Sequence, residues 1–260
     1  MRKKFIFSLF VGFVFISSTA MANDVVPEEI PAQGQMVRQL KSPNAYQLYV
    51  VAPFEIPNAS NGPVHGPLYM KAPQQKARLI ASDAVIAKPI PKDKTYFVDH
   101  QFSLFVTDPK GNIKKLAERV YGDFSFNGDY SRMVVSRPTT MEPEENITTI
   151  ELLDSNGSVI REIVPAGDNS MPMFTPDGKK ILYVCADTGI VSWYIVNIDG
   201  TNRRQLTNIG MEFLDDSFVP IPSTYEHAEF IDNTHFKYLD DKDIWILDIT
   251  TGKALKKGTL

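Results

Sequence analysis

The feature that most constrains the fold is a turn that recurs along the chain at nearly constant spacing. Each copy joins two β-rich runs through an acidic residue that is followed, within four positions, by glycine. The acidic residues are 46, 45 and 49 positions apart, and they are Asp108, Asp154, Asp199 and Asp248. A run of strand length follows each turn, so each copy predicts a β-hairpin. A period of this length is typical of a four-stranded propeller blade.

A second pattern lies upstream of each hairpin and consists of an aromatic or apolar residue, a polar turn and a β-rich run. Its best copy begins at Phe174 and continues through Pro176, Asp177 and Gly178 into residues 181–184. Proline suits the first corner of a tight turn, and glycine accepts a positive φ. Weaker copies occupy residues 42–51, 90–98, 124–135 and 228–238. The chain therefore contains five repeats, and a weaker hairpin is also expected at residues 67–80.

Residues 173–207 resemble one blade of the PD40 or TolB-like (WD40-like) propeller repeat. Two stretches carry the resemblance: Phe174-Thr175-Pro176-Asp177-Gly178-Lys179-Lys180-Ile181, and the run from Trp193 through Asp199-Gly200 to Leu206-Thr207. The resemblance implies an all-β fold, a β-propeller of four-stranded blades, with protein–protein contact as its use. TolB-like proteins commonly have six blades, whereas five repeats are recognisable here, so both five and six blades are considered.

Residues 34–40 have the pattern of an outer strand, similar to residues 200–206. Two placements are open for them. They could close the ring against the last blade, or they could belong to a decayed sixth blade. Closure matters because an open ring exposes unpaired edges.

The N-terminus has the pattern of a secretory signal peptide. Three basic residues precede an apolar run, residues 5–16, that is too short to span a bilayer, and small residues at Ala20 and Ala22 suit a signal peptidase. We therefore expect three regions: a signal peptide at 1–22, a flexible lead-in at 23–33 and a TolB-like β-propeller domain at 34–260. The expected location is the periplasm or the outside of the cell, with no membrane span after the signal peptide is removed.

The net charge limits what the protein can bind, and the cysteine content limits how it can be stabilised. The formal net charge is −4, and removal of the basic N-terminus would make it −7. This balance argues against binding of nucleic acid or anionic lipid through bulk charge. Cys185 is the single cysteine, so no internal disulfide can form, and its apolar surroundings in residues 181–186 predict a buried structural thiol.

The sequence shows little sign of catalytic or metal chemistry. The histidines are His65, His100, His227 and His235, and no serine lies in a Gly-x-Ser-x-Gly motif. His100 follows Asp99, but adjacent residues on a strand point to opposite faces and do not by themselves form a dyad. The acidic group at residues 240–243 favours a solvated turn over a calcium site. No catalytic residue, metal ligand or cofactor is predicted, and Trp193 and Trp245 are expected to pack between blades.

The candidate interface lies in an irregular insertion at residues 208–224, and it consists of Phe213, Asp215, Asp216 and Phe218. The hypothesis that follows is an exported periplasmic β-propeller that acts as a binding or scaffold protein for another envelope protein or component. The alternative is an enzyme, a five-bladed glycoside hydrolase or lyase with an active site assembled across blades. The sequence specifies neither the partner nor the oligomeric state.

Overall fold

The fold was analysed in a computed structural model, which describes residues 34–41, 47–53, 66–71, 78–91, 94–108, 111–120, 124–140, 147–207, 228–240 and 243–259. Every regular element in these ranges is a β-strand. The described part of the chain contains no helix long and apolar enough to cross a membrane. The all-β prediction is therefore confirmed.

The strands of the described residues form five antiparallel sheets, and each sheet consists of four strands that are consecutive in sequence. The first sheet contains β1 (Gly34–Lys41), β2 (Gln47–Pro53), β3 (Gly66–Lys71) and β4 (Arg78–Ala84). The second contains β5 (Ile86–Ile90), β6 (Lys94–Val98), β7 (Leu104–Thr107) and β8 (Ile113–Ala117). These two sheets form one compact unit.

The third, fourth and fifth sheets form the other compact unit. The third contains β9 (Phe124–Phe126), β10 (Arg132–Pro138), β11 (Thr148–Asp154) and β12 (Val159–Gly167). The fourth contains β13 (Asn169–Phe174), β14 (Lys180–Cys185), β15 (Ser192–Asn197) and β16 (Arg204–Gln205). The fifth contains β17 (Glu229–Phe230), β18 (His235–Asp240), β19 (Asp243–Asp248) and β20 (Ala254–Thr259).

Each repeat found in the sequence coincides with one sheet. The acid-to-glycine turns join the third and fourth strands of the second to fifth sheets, and the upstream pattern supplies the first two strands. In the third sheet, Asp154 Oδ1 accepts hydrogen bonds from the backbone N–H groups of Asn156 and Ser158, at 2.8 and 2.9 Å. Gly157 in this turn has a φ of +88°, which glycine adopts without strain. The recurring acid is therefore the side chain that closes the turn.

The placement of β1 differs from both alternatives that the sequence suggested. It pairs with β2 and is the first strand of the first sheet, from Gly34 opposite Pro53 to Lys41 opposite Gln47. It is thus the counterpart of β5, β9, β13 and β17, the first strands of the other sheets, and not a fourth strand or part of a separate sheet. The strand pattern of residues 34–40 was identified correctly, but a pattern of alternating side chains does not specify which neighbour a strand pairs with.

Packing between sheets follows the alternation of side chains along each strand. In β14, Ile181, Tyr183 and Cys185 face the third sheet and share a buried cluster with Ile150 of β11. The intervening Leu182 and Val184 belong to a different cluster, which includes Phe236, Tyr238 and Leu247 of the fifth sheet. One strand therefore contributes to two separate cores.

Trp193 of β15 is fully buried in the second of these cores. Its ring meets Phe236 edge-on, with 4.9 Å between the ring centroids, and lies 6.2 Å from Tyr238. Trp245 of β19 is partly buried against the same cluster. The prediction that both tryptophans pack between sheets is confirmed.

A polar contact joins the outer strand of one sheet to the outer turn of the next. Arg161 of β12 donates to Asp199 O at 2.9 Å, and Arg204 of β16 donates to the carbonyl oxygens of Ile249 and Thr250 at 2.5 and 2.6 Å. The turns lie so close to the preceding strand that a Cβ on Gly200 would be 3.2 Å from Ile163 O. We call these the arginine–turn contacts.

We expect Arg204→Met to destabilise the protein by about 1–3 kcal/mol, because it removes two charge-assisted hydrogen bonds and leaves the carbonyl of the buried Ile249 without them. Urea unfolding followed by circular dichroism measures the change. The control is Arg132→Met on the exposed start of β10, which should alter the free energy of unfolding by less than about 0.5 kcal/mol. Equal losses in the two variants would contradict a specific role for the contact.

Candidate functional site

One end of the third and fourth sheets brings together several polar groups that the fold does not use in turns. At this end β10 stops at Pro138, β11 starts at Thr148, β12 stops at Gly167, β13 starts at Asn169 and β14 stops at Cys185. We call it the Asp168 end, after the residue between β12 and β13. The opposite end, which holds the acid-to-glycine turns, is called the turn end.

Hydrogen bonds hold the two sheets together at the Asp168 end. The side-chain amide of Asn169 donates to Thr148 O at 2.9 Å and to Pro165 O at 3.1 Å. In return, the Thr148 hydroxyl donates to Asn169 O. Asn169 is 2% exposed, and its Oδ1 has no hydrogen-bond partner among the described residues. The interface therefore contains a buried acceptor that the described protein groups leave unsatisfied.

Two carboxylates lie next to this interface. Asp187, in the connection between β14 and β15, accepts a hydrogen bond from the backbone N–H of Asp168 at 2.7 Å. Gly167 allows this approach, because a Cβ at that position would lie 2.7 Å from both carboxylate oxygens of Asp187. The backbone of Asp168 is held as well, since its carbonyl oxygen accepts from Ala186 N at 2.9 Å.

The environment of Asp168 changes its acidity. Burial, and secondarily the negative charge of Asp187, raise the pKa of Asp168 from its ordinary value to about 7. The side chain therefore exists in both protonated and ionised forms near neutral pH. Within the described residues, no cation or hydrogen-bond donor is positioned to hold it in the ionised form.

Arg203, directly before the outer strand β16 of the fourth sheet, extends its side chain across that sheet. Its Nε donates to the Tyr183 hydroxyl at 2.5 Å, and its Nη2 lies 3.6 Å from Asp187 Oδ2. The guanidinium also stacks on Tyr194, 5.4 Å from the ring centroid. Burial raises the pKa of Tyr183. Arg203 is therefore largely occupied by contacts within its own sheet.

Cys185 lies beneath Arg203 and is 1% exposed. Arg203 Nη2 donates to its sulfur at 3.4 Å. Burial raises the pKa of the thiol to about 11, so the thiolate is disfavoured at neutral pH. The prediction of a buried thiol is confirmed.

Each histidine that the structure describes has an aspartate beside its ring. His100 Nδ1 contacts a carboxylate oxygen of Asp83. His235 contacts Asp232 in the turn between β17 and β18, with 2.9 Å between Nδ1 and Oδ2. Asp243, one of the acids weighed as a calcium ligand, accepts from Lys256 and Thr259. The described residues contain no group of three or more histidine, cysteine or acidic side chains arranged to hold a metal ion.

The residues that the sequence analysis selected lie outside the described ranges. This applies to the candidate interface, which is Phe213, Asp215, Asp216 and Phe218, and to Ala20 and Ala22 of the predicted cleavage site. The residues of the Asp168 end were not selected. The sequence signal for Asp168 is faint: an acid in the short segment between two repeats, directly after Gly167.

Comparison with known proteins supports the fold. No family model matches the chain. A segment of 110 residues is 28% identical to the Tol-Pal system protein TolB of Roseobacter denitrificans, and the match covers 41% of this chain and 24% of that protein.

Solved structures agree on the architecture. The TolB structure from Acinetobacter baumannii superposes with a TM-score of 0.52 at 16% identity, over 74% of this chain and 49% of that one. The oligogalacturonate lyase of Vibrio parahaemolyticus gives 0.53 at 14% identity, over 83% and 62%. The chain thus spans about a quarter to a half of the length of the two TolB proteins. Its fold is that of a TolB-like β-propeller.

The raised pKa of Asp168 predicts a pH-dependent cost to stability. A carboxyl whose pKa rises on folding destabilises the native state as pH increases from about 4 to about 7. We expect Asp168→Asn to stabilise the protein by about 1–3 kcal/mol at pH 8 and to have little effect at pH 4. Urea unfolding at both pH values measures this difference.

Glu162→Gln removes the same charge from the exposed part of β12, so it serves as the control. It should change the free energy of unfolding by less than about 0.5 kcal/mol at either pH. A loss of stability in Asp168→Asn at pH 8 would show that Asp168 is ionised and stabilising in the folded protein.

Proposed function

We propose that this TolB-like β-propeller is exported to the periplasm and acts there as a binding or scaffold protein for another protein of the cell envelope. The observation that carries the proposal is the 110-residue similarity to a protein named as part of the Tol-Pal system, in a chain with the corresponding fold. The sequence adds a signal-peptide pattern at its N-terminus.

The chemistry of the Asp168 end is consistent with binding. It combines two carboxylates, an arginine held by Tyr183 and a buried asparagine, within the described residues. His235, in the same compact unit, is not part of it, because it pairs with Asp232 in the turn between β17 and β18. The thiol at this end, Cys185, is buried and its pKa is raised to about 11, so it is a poor nucleophile at neutral pH. Polar groups of mixed charge around such an inert thiol suit recognition better than acyl transfer.

A second candidate function is polysaccharide cleavage, and one observation favours it. The pKa of Asp168, about 7, would allow the carboxyl to act as a general acid or base, and Asp187 is beside it. The likeness to oligogalacturonate lyase, at 14% identity, shows a shared fold alone. An activity assay therefore decides between the two functions.

We predict that export removes residues 1–22. Mass spectrometry of the protein purified from the periplasm should give a chain that begins at Asn23. Ala22→Arg should block processing, because a bulky charged residue does not fit where the peptidase accepts small side chains. The control Ala32→Arg, ten residues downstream, should be processed normally. Retention of the unprocessed wild-type chain in the cytoplasm would contradict export.

We also predict that chemical cross-linking of intact cells, followed by affinity purification of the tagged chain, captures one specific envelope protein. The binding function does not require turnover, so the purified chain should not cleave polygalacturonate or other envelope polysaccharides. Cleavage that is abolished by Asp168→Asn but retained in Glu162→Gln would establish the enzyme function instead.

A further inference from the structure

The carboxylates of the third to fifth sheets fall into two classes according to what they contact. At the turn end, each acid serves its own turn: Asp129 accepts from Ser131 N at 2.9 Å, Asp199 from Thr201 N at 2.9 Å and Asp248 from Thr250 N at 2.8 Å. The hydroxyl groups of the same serine and threonine residues also donate to these acids, and the hydroxyl bonds, followed by the backbone bonds, lower the pKa of all three carboxyls. These carboxylates are therefore already engaged by hydrogen bonds within their own turns.

The acids at the Asp168 end differ. The structure gives the Asp168 carboxyl no hydrogen bond and no ion pair among the described residues. Asp187 accepts one backbone N–H and has Arg203 at 3.6 Å, a distance at which the ion pair is weak. Negative charge at this end is thus undercompensated by the described protein groups.

Exposed apolar side chains accompany the acids. Ile147, before β11, is 41% exposed, and Ile190, before β15, is 43% exposed. Gly189 lies beside Ile190, and a Cβ built on it would meet no atom within 4 Å, so the surface there is open. Exposed apolar surface with a polar rim is typical of protein–protein interaction sites.

The unsatisfied acceptor of Asn169 provides an observation independent of the acids. Its Oδ1 is buried one residue from Asp168 and lacks a donor among the described residues. Unsatisfied buried acceptors are rare, because each costs the free energy of a lost hydrogen bond. A donor from outside the described residues would remove this cost.

We propose that the Asp168 end is the docking surface for a basic segment of a partner protein, whose lysine or arginine side chains pair with Asp168 and Asp187 while its apolar side chains contact Ile147 and Ile190. The inference rests on the proposed binding function and specifies where the partner binds and what chemistry it presents. Anionic partners are disfavoured, because they would meet uncompensated carboxylates of the same sign.

Burial of Asp168 makes the pairing favourable. Most of the cost of desolvating a carboxylate is already incurred when the chain folds, which is why its pKa is raised. A cation that arrives beside it offsets this cost, whereas a cation that binds a hydrated surface carboxylate must still displace water. Asp168 is therefore expected to contribute more to binding than an exposed acid such as Glu162.

The test uses the full-length chain in intact cells, with the photo-cross-linking amino acid p-benzoylphenylalanine placed at Ile190 or, as the matched control, at Ile231. Ile231 is 56% exposed and lies at the turn end of the fifth sheet, between β17 and β18. Mass spectrometry then identifies the captured peptide. We expect capture of a segment with net positive charge from Ile190 and none from Ile231.

The charge requirement is tested in the same cells. Asp168→Asn should reduce the cross-linked yield from Ile190 about threefold or more, and Glu162→Gln, which removes an equal charge elsewhere, should leave it unchanged. The purified chain provides a second measurement. A short labelled peptide of alternating lysine and leucine should bind more weakly to Asp168→Asn by a similar factor, and its glutamate–leucine counterpart should not bind the wild type.

Several outcomes would overturn the inference while the proposed function survives. They are capture from Ile231 alone, capture of a neutral or acidic segment, a captured segment from a second copy of this chain, or a yield unaffected by Asp168→Asn. The inference is also overturned if the cross-linker at Ile190 captures nothing while chemical cross-linking of the whole chain still captures a partner. Where neither method returns a partner, the proposed function itself fails.

Discussion

The structure depends on the burial of each sheet by its neighbours. A four-stranded antiparallel sheet has two faces, and β14 places apolar side chains on both. Ile181, Tyr183 and Cys185 pack on the third sheet. Leu182 and Val184 pack on the fifth. A single sheet of this kind could cover neither face by itself, so its stability requires a sheet on each side. This explains why a chain without a disulfide can tolerate degenerate repeats, since burial needs apolar character at alternate positions rather than particular residues.

The arginine–turn contacts add specificity to this burial. Apolar faces alone would allow neighbouring sheets to slide or rotate. Arg161 and Arg204 fix their relative position, because they donate to specific backbone carbonyl oxygens of the next turn, those of Asp199 and Ile249. Close approach is possible because Gly200 and Gly252 occupy those turns with φ values of +86° and +76°. The basic residue lies four positions after the glycine of its own turn, and the same spacing gives Lys115 in β8 and Lys256 in β20. The turn thus has two partners: its acid closes it internally, and the preceding sheet holds its backbone from outside.

The sequence predicted the hairpins because their determinants are local. An acid, a glycine and two alternating runs lie within about fifteen residues, and each turn closes on its own side chain, as Asp154 shows. It did not predict the position of β1, whose pairing with β2 depends on which strand is available as a neighbour. Nor did it predict the Asp168 end, where Asp168, Asp187 and Arg203 come from three different connections. Their properties arise from burial and from mutual distance, which no short sequence pattern encodes.

The difference between the two ends of the sheets has a physical origin in how their connections are closed. Turn-end connections are short, so their acids are needed to saturate backbone N–H groups, and Asp199 or Asp248 has little capacity left for an external ligand. At the Asp168 end, by contrast, Asp168 alone connects β12 to β13, and its carboxyl accepts no hydrogen bond among the described residues. Burial, and secondarily the charge of Asp187, makes ionisation of Asp168 costly, as its raised pKa shows. The fold retains such a cost at one end, while hydrogen bonds within the turns engage the acids at the other, and the proposed docking surface rests on this asymmetry.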